Sequence, residues 1–75
     1  MTKTQYLVNE ALFDEYIEKS GLMRKFLAEK LGISKQAFHK KRKGKTAFRV
    51  SEIFILCYLL HIPEEDRAKI FYPKS

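Results

Sequence analysis

The spacing of three glycines does most to limit what this 75-residue chain can fold into. Gly21 and Gly32 each follow a segment in which apolar residues recur at intervals of three and four, the periodicity of a helix with one buried face. Gly44 closes a third segment, which begins after Ser34. Because glycine readily takes the left-handed conformation in which many helices end, the first half of the chain is predicted to form short helices with tight connections.

Capping residues and apolar periodicity extend this pattern to about five helices. Asn9 and Ser34 are the predicted N-caps of the first and third helices, and the second is predicted at 24–31. The third is predicted from 35 to about 43 and the fourth at 50–60, while Pro63 suits the first turn of the last. The predicted fold class is therefore all-α, a compact bundle of about five short helices. We expect a flexible arm at 1–8, one domain at 9–72 and a tail at 73–75.

The composition argues against several classes of function. Cys57 is the only cysteine and lies in an apolar run, which predicts a buried small hydrophobe and neither a disulfide nor a thiolate metal site. His39 and His61 lie far apart without a carboxylate or thiol pattern nearby, so no metal site is predicted. The longest apolar run, from Ile53 to Leu60, is far shorter than the roughly 20 residues that span a bilayer. We expect a soluble cytoplasmic protein without a cofactor or small-molecule ligand.

No catalytic constellation is recognisable among the acidic residues. Asp14, Glu15 and Glu18 have neither a glycine-rich loop nor a nucleophile pattern beside them. Glu15 and Glu18 are expected to pair with Lys19 or to face solvent. The protein is therefore predicted not to be an enzyme.

Positive charge is concentrated in one part of the chain. The formal net charge is +6 and the sequence pI is about 9.6, which fits an anionic partner. No Asp or Glu occurs between Lys30 and Val50. That window contains the following basic residues: Lys30, Lys35, Lys40, Lys41, Arg42, Lys43, Lys45 and Arg49. We therefore expect one strongly electropositive region.

The segment from Arg24 to Gly44 has the spacing of a helix-turn-helix, at about 24–43. Two helices that cross through a turn of three or four residues need a small side chain at their contact and a glycine at the bend, and Ala28 and Gly32 meet these needs. The predicted core residues of the motif are Leu27, Leu31, Ile33 and Phe38. The residues then expected on the solvent face of the second helix are Ser34, Lys35, Gln36, His39, Lys40 and Lys43.

These residues resemble the lambda-repressor-like helix-turn-helix family of phage repressors, Cro proteins and XRE-type regulators. The motif positions that carry the resemblance are Ala28, Gly32, Ile33, Ser34, Phe38 and Gly44. The run GKTAF at 44–48 also looks like that of small phage-encoded members. Met23 departs from the family's usual Ser or Thr cap, so a weaker cap is expected there. Lys41 and Arg42 replace a core-sealing apolar residue, and that turn is expected to fray or to bury only aliphatic stems.

The resemblance implies a role for each residue of the basic segment. The third helix would lie in the major groove of DNA, with Ser34, Lys35, Gln36 and His39 reading bases. Gln36 can pair with adenine through two hydrogen bonds and Lys35 can donate to guanine. The residues that would contact phosphates are Arg24, Lys40, Lys43, Lys45 and Thr46.

The fourth helix is apolar on nearly every side, which suggests a second surface. A domain of this size is expected to leave one side of it uncovered. The candidate dimer interface consists of Phe54, Tyr58, Phe71 and Tyr72. A homodimer would read two half-sites about 34 Å apart, so a double-stranded operator with inverted symmetry is the expected partner.

The function implied by these features is sequence-specific DNA binding by a transcriptional regulator, bacterial or phage-encoded, that acts by occupying an operator. Two alternatives remain open. One is a protein-interaction module on the same scaffold, such as an antirepressor or antitoxin component, which the exposed apolar strip would favour. The other is a non-specific nucleic-acid binder, because phosphate contacts alone carry no sequence information.

Overall fold

A computed structural model describes residues 8–72 and confirms the all-α class. Five helices follow one another: α1 (Glu10–Ser20), α2 (Arg24–Leu31), α3 (Lys35–Arg42), α4 (Val50–Leu60) and α5 (Glu64–Phe71). The described range contains no strand. The predicted arm, except for Val8, and the predicted tail lie outside the described residues.

Local sequence signals account for the helix ends. The side-chain oxygen of Asn9 accepts a hydrogen bond from the Leu12 N–H at 3.2 Å, and Ser34 Oγ accepts one from the Ala37 N–H at 3.0 Å. Gly21 and Gly32, with φ of 73° and 72°, end α1 and α2 in the left-handed conformation. Met23 makes no side-chain cap, so the weaker start predicted for α2 is confirmed.

Two predicted boundaries differ from the structure. α3 ends at Arg42, because Lys43 already serves as its C-cap and the Lys45 N–H turns back to the Lys40 carbonyl at 2.9 Å. Pro63 is the N-cap of α5 and not part of its first turn, since its ψ of 160° is extended. The Pro63 carbonyl still accepts hydrogen bonds from the Asp66 and Arg67 N–H groups.

Four phenylalanine rings from different parts of the chain form the centre of the core. Phe13 of α1 lies 6.2 Å from Phe38 of α3, 5.8 Å from Phe48 and 5.4 Å from Phe71 of α5, measured between ring centroids. All five ring pairs of this cluster are tilted or edge-to-face, and edge-to-face is a geometry that aromatic rings prefer. Ile53, Leu56 and Leu60 of α4 complete the core.

α5 is held against α1 by polar contacts as well as by the core. The Asn9 N–H donates to the Ile70 carbonyl at 2.9 Å, and the Tyr16 hydroxyl donates to the Asp66 carboxylate. This hydrogen bond, together with burial and the charge of Asp66, raises the pKa of Tyr16 to about 12. The two contacts place the end of the domain beside its beginning.

His61 and Cys57 both lie toward the C-terminal end of α4. His61 is exposed and ends the helix with a φ of 56°. Cys57 is only half-buried, so the prediction of a buried small hydrophobe holds in part, and burial raises the pKa of its thiol despite the nearby Arg67. Within residues 8–72, none of the helices is long and apolar enough to cross a membrane.

Candidate nucleic-acid interface

The turn between α2 and α3 is built as the sequence predicts. The Gly32 and Ile33 N–H groups both bond back to α2, the latter to the Ala28 carbonyl at 3.0 Å. Leu27, Ala28 and Phe38 are buried, while Leu31 and Ile33 are half-buried against the same core. α3 is therefore anchored along one side, and its other side is left to solvent.

The outer face of α3 carries the predicted base-reading residues. Ser34, Lys35, Gln36 and His39 are all exposed, as is Lys40 beside them. Ser34 Oγ is used as an acceptor by the cap, and its hydroxyl proton remains available to donate. No acidic residue lies on α3. The structure thus brings the predicted residues to one polar, acid-free face.

Lys41 differs from these lysines, because its charge is enclosed by the protein. Lys41 Nζ lies 2.7 Å from Glu52 Oε1 of α4, and the two side chains are only 13% and 6% exposed. The same carboxylate accepts the Arg49 N–H at 2.8 Å, at the start of α4. Burial alone would raise the pKa of Glu52, but these hydrogen bonds and positive charges outweigh it and lower that pKa.

Arg42 and Lys43 are also paired with carboxylates. Arg42 Nη1 lies 3.1 and 3.0 Å from the two carboxylate oxygens of Asp14, and its side chain is 12% exposed. Lys43 Nζ lies 3.5 Å from Glu10. The expectation that this turn would fray or bury only aliphatic stems is therefore wrong, because carboxylates on α1 and α4 accompany the buried charges.

Sequence reasoning missed these pairs because their acids lie far from α3 along the chain. The basic window contains no acid, yet folding brings Glu10, Asp14 and Glu52 against it. The signal was the occurrence of Lys41 and Arg42 at positions where the motif calls for an apolar side chain. A cation in such a place is seldom buried without a partner.

The predicted phosphate-contacting residues fall into two groups. Lys40, Lys45 and Thr46 are exposed, and Lys35, Lys40 and Lys45 form no ion pair within the described part of the chain. Arg24 and Lys43 lie near carboxylates instead, with Arg24 Nη2 at 3.3 Å from Asp14. The Nε atoms of Arg24 and Arg42 are buried without a partner in residues 8–72, so Asp14 does not satisfy both guanidinium groups.

The candidate dimer interface is only partly at the surface. Phe54, Tyr58 and Tyr72 are exposed, but Phe71 is buried between the rings of Phe13 and Phe48. Its assignment to an interface is therefore wrong, because the end of α5 turns this ring toward α1. Val50, which sequence reasoning passed over, is exposed on the same helix as Phe54.

Two further observations concern the acidic and metal-ligating residues of the described part of the chain. Lys19 pairs with Glu15 at 3.7 Å, as expected. Within residues 8–72, no three His, Cys, Asp or Glu side chains are grouped closely enough to hold a metal ion. Comparisons of the chain with protein-family models, with curated proteins and with solved structures found no match.

Proposed function

We propose that this protein is a sequence-specific regulator that binds double-stranded DNA through the outer face of α3, in the manner of the phage repressor and Cro proteins. The observation that carries the proposal is the sorting of charge around α3. The cations on its inner side and end face carboxylates, whereas Lys35, Lys40 and Lys45 face solvent. A basic face that contacts only solvent does not require some cations to be paired and others to be free. The phosphates of a DNA backbone would pair with the free ones.

The size and content of α3 support insertion into the major groove. An α-helix with its side chains is about 10 to 12 Å in diameter, and the major groove, which is about 12 Å wide, admits one such helix. Gln36 and His39 stand in the middle of the exposed face of α3 and offer hydrogen bonds to base edges. Lysines at both sides of them are suited to hold the phosphates.

The start of α2 offers a further contact with the DNA backbone. The first turn of α2 contains no acid, and its N-cap residue, Met23, makes no side-chain hydrogen bond to the helix N–H groups. An anion is favoured at such a helix end. Arg24, whose contact with Asp14 is longer than that of Arg42, is expected to turn toward a phosphate placed there.

Selection of bound duplexes from a random pool tests the proposal directly. At about 150 mM salt, the wild type is expected to enrich a motif with inverted symmetry. Gln36→Ala should relax one position in each half and weaken binding to the selected site by about 1 to 3 kcal/mol, because one pair of hydrogen bonds to a base is lost. If no motif is enriched, the protein binds nucleic acid without specificity or binds another partner.

The salt dependence of affinity separates phosphate contacts from base contacts. Lys40→Gln should weaken binding to all duplexes alike and reduce the slope of log K against log salt by about 1, because one fewer counterion is released. The matched control is Lys69→Gln on α5, which removes the same charge at an exposed position outside the proposed interface. Equal slopes for the two variants would contradict the assignment of Lys40.

A further inference from the structure

The Glu52 carboxylate connects the end of α3 to the start of α4. Its Oε1 atom accepts a hydrogen bond from Lys41 Nζ at 2.7 Å and a second one from the Arg49 N–H at 2.8 Å. Arg49 is the last residue before α4, so it ends the loop at 43–49 that follows α3. One oxygen of a buried side chain thus receives a donor from the helix that is proposed to read bases and a donor from the end of the next loop. We call these three residues the Glu52 bridge.

The loop joined by this bridge carries two of the proposed phosphate contacts. Lys45 and Thr46 are exposed within it, and the proposed base readers Gln36 and His39 are exposed on α3. Base contacts and phosphate contacts with one duplex must form at the same time, because phosphate contacts set the register in which the bases are read. Recognition therefore depends on the placement of α3 relative to the loop.

Packing alone holds the last turn of α3 weakly. Among the five helices of the described range, α3 packs extensively only against α2, through the turn at Gly32. Phe38 is the only buried residue of α3, so the helix could tilt about this ring. Arg42 joins the last turn to α1, and Lys41 joins it to α4. Of these two cations, only Lys41 shares its acceptor, Glu52, with the end of the loop.

We propose that Glu52 is a positioning residue for DNA recognition, which touches no DNA itself but fixes the outer face of α3 relative to the loop. This inference rests on the proposed function, since it concerns the same DNA interface. The Glu52 side chain is too buried to meet a phosphate, and its negative charge would repel one. Its effect on binding is therefore exerted through Lys41 and Arg49, which it holds together.

Charge and positioning predict opposite effects when Glu52 is neutralised. Glu52→Gln removes a negative charge, so charge alone would strengthen binding to every duplex. Gln keeps an oxygen for the Arg49 N–H but loses the ion pair with Lys41. Positioning therefore predicts that affinity for the selected site falls about tenfold, while affinity for a random duplex stays equal or rises, because the exposed lysines still reach phosphates. We call the ratio of the two affinities the discrimination.

A double variant separates positioning from stability. Glu52→Gln alone leaves the Lys41 ammonium buried without a carboxylate, which destabilises the domain. Lys41→Met combined with Glu52→Gln removes both charges, so the net charge stays at +6 and no unpaired ammonium remains. This variant still lacks the bridge, so its discrimination should remain about tenfold below that of the wild type. The control is Glu29→Gln, which removes a negative charge at an exposed residue of α2 and should leave discrimination unchanged.

Selection from a random pool shows whether α3 as a whole is displaced. Loss of one base reader, as in Gln36→Ala, should relax one position in each half of the motif. Loss of the Glu52 bridge should instead weaken the preference at every position that α3 reads, because the helix moves as one body. Each variant is compared with the wild type at a temperature at which circular dichroism shows both to be fully folded.

Two results would overturn the role of Glu52, and they differ from failure of the proposed function. One is wild-type discrimination in the double variant, which would mean that the pair with Lys41 acts on stability alone. The other is a loss of preference that is confined to a single base position. In either case a wild type that selects a motif leaves the regulator standing. If the wild type itself selects no motif, the regulator is refuted, and the role of Glu52 with it.

Discussion

Phe13→Ala is expected to lower the free energy of unfolding by about 4 kcal/mol, the largest effect of any single substitution considered for this domain. Phe13 is fully buried and contacts three other rings, so its loss leaves a cavity where α1, α3 and α5 meet. A domain of this size has about 4 to 11 kcal/mol of stability in total. Much of it therefore depends on this ring.

Urea unfolding followed by circular dichroism measures this effect. Phe13→Leu, which keeps most of the volume, should cost clearly less and provides a value if the alanine variant does not fold. Phe54→Ala is the matched control, because it removes the same ring from an exposed position. If Phe13→Ala were no more destabilising than Phe54→Ala, the four-ring cluster would not be the centre of the core.

Lys41→Met is expected to destabilise the domain by about 3 kcal/mol at neutral pH, because it leaves the buried Glu52 carboxylate without its cation. Lys40→Met is the matched control on the same helix. Lys40 is exposed and forms no ion pair among the described residues, so its replacement should change stability by less than about 0.5 kcal/mol. Similar losses in the two variants would show that the Lys41 pair is not formed in solution.

The same pair predicts a pH dependence with a definite sign. The pKa of Glu52 is lower in the folded protein than its usual value of 4.5, so its ionised form stabilises the fold above that pH. This contribution is lost as the pH falls through the lowered pKa. Glu52→Gln keeps an oxygen for the Arg49 N–H but does not ionise. The stability difference between wild type and Glu52→Gln should therefore shrink on acidification, and a constant difference would contradict the pair.

The pair also bears on how α3 is held. Lys41 and Arg42 connect the end of α3 to α4 and α1, respectively, through Glu52 and Asp14. Replacing a whole buried ion pair, cation and carboxylate together, by apolar residues of the same volume is often neutral for stability, unlike removing one partner alone. The two pairs fix the position of the end of α3, because each cation is hydrogen-bonded to a carboxylate on a different helix, Lys41 to one on α4 and Arg42 to one on α1.

Much of the fold could be predicted from the sequence because its helix ends are encoded locally. Asn9 and Ser34 cap their helices as expected, and Gly21 and Gly32 end theirs. The error at Pro63 was one residue, since proline suits both the cap and the first turn. The outer face of α3 was also predictable, because the periodicity that buries Phe38 exposes Gln36 and His39 on the other side.

By itself, the sequence determined the five helices, the N-caps of α1 and α3 and the residues on the outer face of α3, because these depend on neighbours within a turn or two. Only the tertiary structure decided which cations are free, since Asp14 and Glu52 reach Arg42 and Lys41 only after folding. It also decided that Phe71 belongs to the core and Val50 to the surface. An apolar residue at a helix end can face either side, and the packing of distant helices determines which side it takes.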